Sequence, residues 1–247
     1  MNTDKTERKN LRICFLGDSM TYGVGTTKKY QDIIAELTGA EVFGFGIDGA
    51  KTIHLFTELE NMEKTVGTDF DVLSILIGTN DFCGSVPIGE FFTEHEENIV
   101  VSTDEKGEPN GYAIRKKREF IFTDDTFCGR LNKIFAYVKE RYADKRIILV
   151  TPPHRAYAYF GLDNVQPSEL YANSAGEYFE KYVETERKAA DIWSVELVDV
   201  YRDSGLFPLA DANAKLYFHD DKTDRLHPGA KGDELIAKTI IRKLGTI

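Results

Sequence analysis

A three-layer α/β/α sandwich on a parallel sheet of about five strands is what this chain predicts, and three observations carry that expectation. Five short runs of strand-forming residues recur along it, bounded by turn residues. Longer stretches with apolar residues at helical spacing alternate with them, the rhythm of a parallel sheet covered on both faces. Three of the runs end in small polar and glycine residues, at what would be the carboxyl edge of the sheet, where open α/β folds hold their ligands.

The elements follow in order. Ile13, Cys14, Phe15 and Leu16 form the first buried strand, ended by Gly17, Asp18 and Ser19. A helix over 28–37, a short strand over 41–45, a helix over 54–62 and a buried strand over 72–77 come next. Leu131, Ile134, Phe135 and Val138 mark a helix over 127–142, and a fourth strand spans 146–150. A helix over 169–190, a fifth strand over 195–198 and a closing helix over 232–244 complete the alternation. Segment 82–125 breaks the rhythm, being far longer than a strand-to-helix connection normally is. Within it, 98–103 and 112–122 are expected to pair as a hairpin across the turn-rich 104–111. Glu90, Glu94, Glu96 and Glu97 on one side and Arg115, Lys116, Lys117 and Arg118 on the other make it self-neutralising. A lid, or a contact between copies in a homo-oligomer, is the alternative use for it.

With 247 residues, 42% of them hydrophobic, one sizeable core and a single domain over 1–247 are expected. A formal charge of -10 disfavours nucleic acid and anionic membrane as primary partners, since both call for a basic surface. A neutral, sugar-like small molecule is the easier ligand. The three cysteines, Cys14, Cys83 and Cys128, are odd in number and widely spaced, which suits neither a disulfide framework nor a zinc site. The polar opening MNTDKTERKN has no apolar core of a signal peptide, and no later run is long enough to span a membrane, so a cytoplasmic location is expected, with a processed secreted form as the alternative.

Ser19 stands just past the first strand, placed for chemistry. A serine nucleophile needs a base, a group to orient the base and donors for the oxyanion. Asp224 and His227, three apart on a loop before the last helix, supply the first two if Nδ1 of the histidine faces the carboxylate and Nε2 faces Ser19. Asn80, in Gly78-Thr79-Asn80-Asp81 after the third strand, carries an amide suited to an oxyanion, and Gly49 offers a backbone N–H after the second. The fourth strand runs into Thr151-Pro152-Pro153-His154, whose prolines force an extended loop over the same edge. His154 is the reserve base, and aromatic residues further along that loop are candidates to stack on a sugar ring or line an acyl pocket.

Taken together, GDSM at 17–20, the glycine of GIDGA, GTND at 78–81 and DRLHP at 224–228 resemble, in order and spacing, the four blocks of the SGNH (GDSL-type) hydrolases. The resemblance spans nearly the whole chain. It implies a flavodoxin-like sheet and ester hydrolysis through an acyl-serine, with no cofactor and no metal. Position by position it makes Ser19 the nucleophile and, through its N–H, one oxyanion donor; Gly49 and Asn80 the other two; His227 the base; and Asp224 its orienter. Asp18, His154, Tyr157 and Tyr159 are the expected substrate-binding residues. A small acyl ester, with an acetylated carbohydrate as the leading candidate, is the implied substrate; lipase, thioesterase and acyltransferase activities share the fold.

Rival readings of the same residues are weaker. Gly44-x-Gly46-x-x-Gly49 fits a dinucleotide fingerprint, yet it follows the second strand and lacks an acid at the far end of the next one. Lys51 misses a phosphate-binding loop by one residue. His219, Asp220, Asp221, Asp224 and His227 match no metal-ligand spacing, and His95-Glu96-Glu97 lacks a second histidine. No serine sits in a G-x-S-x-G elbow.

Overall fold

The computed structural model describes residues 10–245. The charged opening read for a leader therefore lies, but for its last residue, outside the described residues. The elements are β1 (Arg12–Gly17), α1 (Ser19–Tyr22), α2 (Tyr30–Thr38), β2 (Glu41–Gly44), α3 (Leu55–Thr65), β3 (Val72–Leu76), α4 (Thr79–Cys83), β4 (Phe92–Thr103), β5 (Pro109–Phe120), α5 (Phe127–Arg141) and β6 (Arg146–Val150). Then come β7 (Ala158–Tyr159), β8 (Val165–Gln166), α6 (Phe179–Trp193), β9 (Glu196–Val198), α7 (Val200–Asp203), α8 (Asp211–Tyr217), β10 (Phe218–Asp220), β11 (Asp224–Pro228) and α9 (Ala230–Leu244).

The main sheet is parallel, in the order β2-β1-β3-β6-β9. Its three central strands bury both faces with period two. Ile13, Phe15, Val72, Leu76, Ile148 and Val150 pack under α2 and α9, against Ile34, Ile236 and Ile240. Cys14, Leu16, Leu73, Ile75 and Leu149 pack on the other side against α3, α5 and α6, through Leu59, Leu131, Phe135 and Val183. Strand order reverses between β1 and β3, so their carboxyl ends splay to open a crevice. That crevice is where Ser19 begins α1 and Asn80 lies in the first turn of α4.

Three expectations change. The helix expected from residue 169 begins only at Phe179, because Asn173 Oδ1 accepts the N–H groups of Ala175 and Glu177 and turns the chain there. The hairpin in the insertion has a longer first strand than expected, starting at Phe92 as twelve-residue β4, while its second, twelve-residue β5, is close to the expected length but begins and ends earlier. Opposite charges support its middle across the ladder where apolar alternation is missing: Glu94 pairs with Arg118 and Glu97 with Lys117. Its root is aromatic, Phe120 lying 4.8 Å from Phe92 and 4.5 Å from Trp193, while Ile99, Val100, Val101, Tyr112 and Ile114 towards its tip are exposed. Finally, Asp224 and His227 lie not on a loop but on β11, which pairs with β10 and β7 in a second, four-stranded sheet. Among the described residues no helix is long and apolar enough to cross a membrane.

Candidate active site

The turn out of β1 is shaped by Gly17, whose φ is +154° and where a Cβ would lie 2.2 Å from the Leu76 carbonyl oxygen of the neighbouring strand. Only glycine lets β1 and β3 run this close at their ends. Asp18 then caps α1, its Oδ1 accepting the Met20 N–H at 3.0 Å, and Ser19 opens the helix.

From the far end of the chain, β11 delivers the partners. Ser19 Oγ donates to His227 Nε2 at 2.9 Å, and His227 Nδ1 donates to Asp224 Oδ2 at 2.9 Å. The other carboxylate oxygen, Oδ1, accepts the backbone N–H groups of Leu226 at 3.1 Å and His227 at 3.0 Å. Asp224 is therefore fixed through Oδ1 before the imidazole is considered, which leaves Oδ2 to face the ring. Burial opposes its ionisation, but the hydrogen bond and charge of His227 and those two N–H groups outweigh it and hold the carboxyl below the usual carboxylate range. All three side chains are buried, each residue about 4% exposed. In this tautomer the serine proton has an acceptor, and the imidazolium that forms has a fixed anion beside it.

Two further strand ends close the crevice. Ala50 N–H donates to the Ile47 carbonyl at 3.0 Å, closing a turn in which Gly49 takes φ +73°. Asn80 Nδ2 donates one hydrogen to the Ala50 carbonyl at 3.0 Å, which leaves the other for a ligand. The adjacent Asp81 holds the same loop, accepting from Thr52 N–H at 2.8 Å and Thr52 Oγ1 at 2.9 Å while paired to Arg130 at 2.8 Å. Gly49 and Asn80 are thus sewn together before any substrate arrives. With Ser19 and His227 they line a cavity of about 340 Å³ walled also by Val24, Asp48, Phe160, Asn164, Gln166 and Leu226. None of the β4–β5 ribbon is among these residues.

The structure brings Ser19, Gly49, Asn80, Asp224 and His227 to one place and leaves the four expected substrate-binding residues out of it. Asp18 is wholly buried as a helix cap. Burial pushes its carboxyl up to about 7 against the Met20 hydrogen bond and the charge of His227. His154 turns away, its Nδ1 bonded to Glu169 at 2.6 Å and its ring 3.6 Å from that of Tyr201, so it serves neither as reserve base nor as substrate contact. Tyr157 and Tyr159 stack on each other at 5.0 Å, and Tyr157 donates to the Asp221 carbonyl at 3.2 Å; neither lines the cavity. Phe160 does so instead, its ring 5.5 Å from that of His227. Its place next in the same aromatic run was the only signal for it, and Asn164, Gln166 and Leu226 carried none. The rival glycine loop is explained by packing: a Cβ on Gly44 would meet Gln31 Oε1 at 2.5 Å and one on Gly46 would meet Thr21 Cβ at 2.6 Å. Among the described residues no group of three or more His, Cys, Asp or Glu could hold a metal ion.

Beneath the serine, Glu58 Oε2 accepts the Gly17 N–H at 2.6 Å while Oε1 has no partner among the described residues. Burial pushes this carboxyl up to about 8, against the Gly17 hydrogen bond, and pushes Asp233 up to about 8 as well. Such acids keep in the fold a proton they lose on unfolding. Their contribution to stability is full below the unfolded carboxyl value of about 4 and is lost as pH rises through the folded value. Tm is therefore expected to fall between about pH 5 and about pH 9. Glu58→Gln, neutral throughout and still an acceptor for Gly17, is expected to flatten that fall, by roughly 2–4 °C for each kcal/mol recovered at the alkaline end. Thermal melts across pH check this; an unchanged slope in the variant would assign the loss to other groups.

Fold and crevice together define a serine hydrolase: a switch-point serine in line with a buried histidine and carboxylate, facing a small cavity. The chain belongs to the GDSL-like lipase/acylhydrolase family, whose sequence pattern matches residues 15–235. No curated protein matches it in sequence. Among solved structures it is similar to a protein from Lactobacillus plantarum (TM-score 0.69, 19% identity, covering 96% of this chain and 97% of that one). It is similar also to a possible lipase from Chitinophaga pinensis (TM-score 0.66, 19% identity, 96% and 100% covered). A third is an acetyl xylan esterase from Geobacillus stearothermophilus (TM-score 0.56, 18% identity, 96% and 95% covered). At these identities the likeness is one of fold.

Proposed function

We propose that this hydrolase cleaves small acyl esters through an acyl-serine intermediate, with acetyl groups on a carbohydrate as the leading substrate. The observation that carries the reading is the unbroken line from Ser19 to His227 to Asp224, both contacts 2.9 Å, opening on the Gly49 and Asn80 donors. Ser19 Oγ attacks the carbonyl carbon as its proton passes to Nε2. The tetrahedral oxyanion takes hydrogen bonds from the N–H groups of Ser19 and Gly49 and from Asn80 Nδ2. The C–O bond to the alcohol then breaks, the imidazolium protonates the leaving oxygen, and water repeats the sequence on the acyl-enzyme.

Support for a short acyl group comes from the volume, since about 340 Å³ must hold acyl and alcohol parts together. A sugar is supported by the Phe160 ring on the wall and by the acetyl xylan esterase among the similar structures. A panel of nitrophenyl esters from acetyl to decanoyl, with acetylated sugars and acyl thioesters alongside, tests it. A burst of nitrophenolate with an acyl adduct on the peptide carrying Ser19, steepest for acetyl, is expected; a preference for long chains would move the assignment to a lipase.

Asn80→Ala is expected to lower kcat by about two to three orders of magnitude, because one oxyanion donor is lost when the charge is greatest. Steady-state kinetics on the acetyl ester check it. A change confined to KM would instead make Asn80 a ground-state contact.

A further inference from the structure

A second cavity, of about 310 Å³, adjoins the Ser19 cavity, and Asn164 and Gln166 line both. Its wall holds Arg155, 1% exposed. Elsewhere in the chain the well-covered guanidinium groups meet carboxylates: Arg130 pairs with Asp81, Arg187 with Asp199 and Arg225 with Asp211. Arg155 pairs with none among the described residues. Its Nη1 donates to the Cys83 sulfur, its Nη2 to Gln166 Oε1 at 3.1 Å and to the Pro167 carbonyl at 3.3 Å, and its Nε has no partner. The group lies 5.2 Å from the Phe82 ring centre and 5.9 Å from that of Phe179. The carboxylate of Glu169 is occupied by the Arg155 backbone N–H and by His154.

A buried guanidinium with only neutral acceptors bears a large desolvation penalty that its contacts offset in part. A peg that merely held Gln166 in place would need no charge. We propose that this cavity is a carboxylate subsite: Arg155 binds an anionic group of the ester substrate whose scissile bond lies at Ser19. Gln166, held through Oε1 by Arg155 and Cys83, keeps its amide N–H groups free of partners among the described residues and adds a neutral donor where the cavities meet. The formal charge of -10 disfavours anions over the surface as a whole, so the attraction is local and felt only after entry. The inference rests on the serine-esterase reading and narrows it to esters carrying a carboxylate, on either the acyl or the alcohol side.

Two matched pairs of substrates separate those sides. A nitrophenyl hemiglutarate and its methyl ester place the anion on the acyl group, followed by nitrophenolate. An acetylated glucuronic acid and its methyl ester place it on the alcohol, followed by acetate. In at least one pair the acid is expected to exceed its methyl ester in kcat/KM by about tenfold or more, the scale of one charge-assisted hydrogen-bonded pair. Arg155→Gln is expected to bring that ratio to one or below, and Arg155→Lys to keep part of it. Because the readout is a ratio within one protein, a general loss of activity cancels. Free glutarate is expected to inhibit hydrolysis of the neutral ester competitively in the unmodified protein, which keeps the inference open to test should Arg155→Gln not fold. Activity on neutral esters with ratios of one or below in both pairs, or a ratio that survives Arg155→Gln, would overturn the subsite alone. Inactivity on every ester would overturn the serine-esterase reading and this inference with it.

Discussion

Replacing Asp224 by asparagine is expected to lower kcat by about four orders of magnitude while leaving the fold intact, the cost known for the same change in another Ser-His-Asp enzyme. The geometry says why the effect is chemical. Oδ1 of the aspartate already serves the backbone N–H groups of Leu226 and His227, so an asparagine keeps its oxygen there and must point its NH₂ at the imidazole. Nδ1 then becomes the acceptor, the ring proton moves to Nε2, and Nε2 meets Ser19 Oγ as a donor with no lone pair to take its proton. Melting curves and near-UV circular dichroism are expected to match the unmodified protein, since both backbone contacts persist. A loss of activity with a matching loss of folded protein would point instead to a structural role for Asp224. Asp224, held below the usual carboxylate range, keeps its charge into acid, so the anion that orients the imidazole is retained there.

Ser19→Ala is expected to remove a larger share, about five to six orders of magnitude in kcat, with no burst and no acyl adduct. The Ser19 hydroxyl bonds to His227, so alanine leaves the Asp18 cap, the helix start and the backbone N–H donor in place. What remains should be the contribution of the oxyanion donors and of binding alone, about 10³–10⁴ above the reaction in water. Single-turnover assays and intact-mass measurement decide it. Turnover unchanged in this variant would refute the nucleophile. The double variant Ser19→Ala/Asp224→Asn should be little worse than Ser19→Ala, because residues acting as one unit do not add.

Much of this site was visible before the fold. Gly17-Asp18-Ser19, Gly78-Thr79-Asn80 and Asp224-x-x-His227 each follow from residues adjacent in the chain, and alternating strands and helices made it reasonable that three of the carboxyl ends share an edge. The insertion was legible as a hairpin from its turn, but its first strand was not legible in length, because the Glu94–Arg118 and Glu97–Lys117 pairs that extend it are visible only once the two strands are in register. Asp18, His154, Tyr157 and Tyr159 have the right chemistry beside the right motifs, and all four face elsewhere. Asp18 is claimed locally by the first turn of α1 and Tyr159 by the ring of Tyr157, whereas His154 is claimed by the distant Glu169 and Tyr201 and Tyr157 by the Asp221 carbonyl.

The sequence by itself determined the order and kind of the elements and the chemical types at the strand ends, because hydrophobic period and turn chemistry are local properties. Only the tertiary structure decided that Oγ of Ser19 and Nε2 of His227, 208 residues apart, lie 2.9 Å from each other, that Phe160 rather than Tyr157 or Tyr159 walls the cavity, and that Arg155 is buried without a carboxylate. Contacts of that kind depend on strand register and on which distant segment packs above each residue. No window of the chain contains both partners, so neither period nor spacing can report the distance between them.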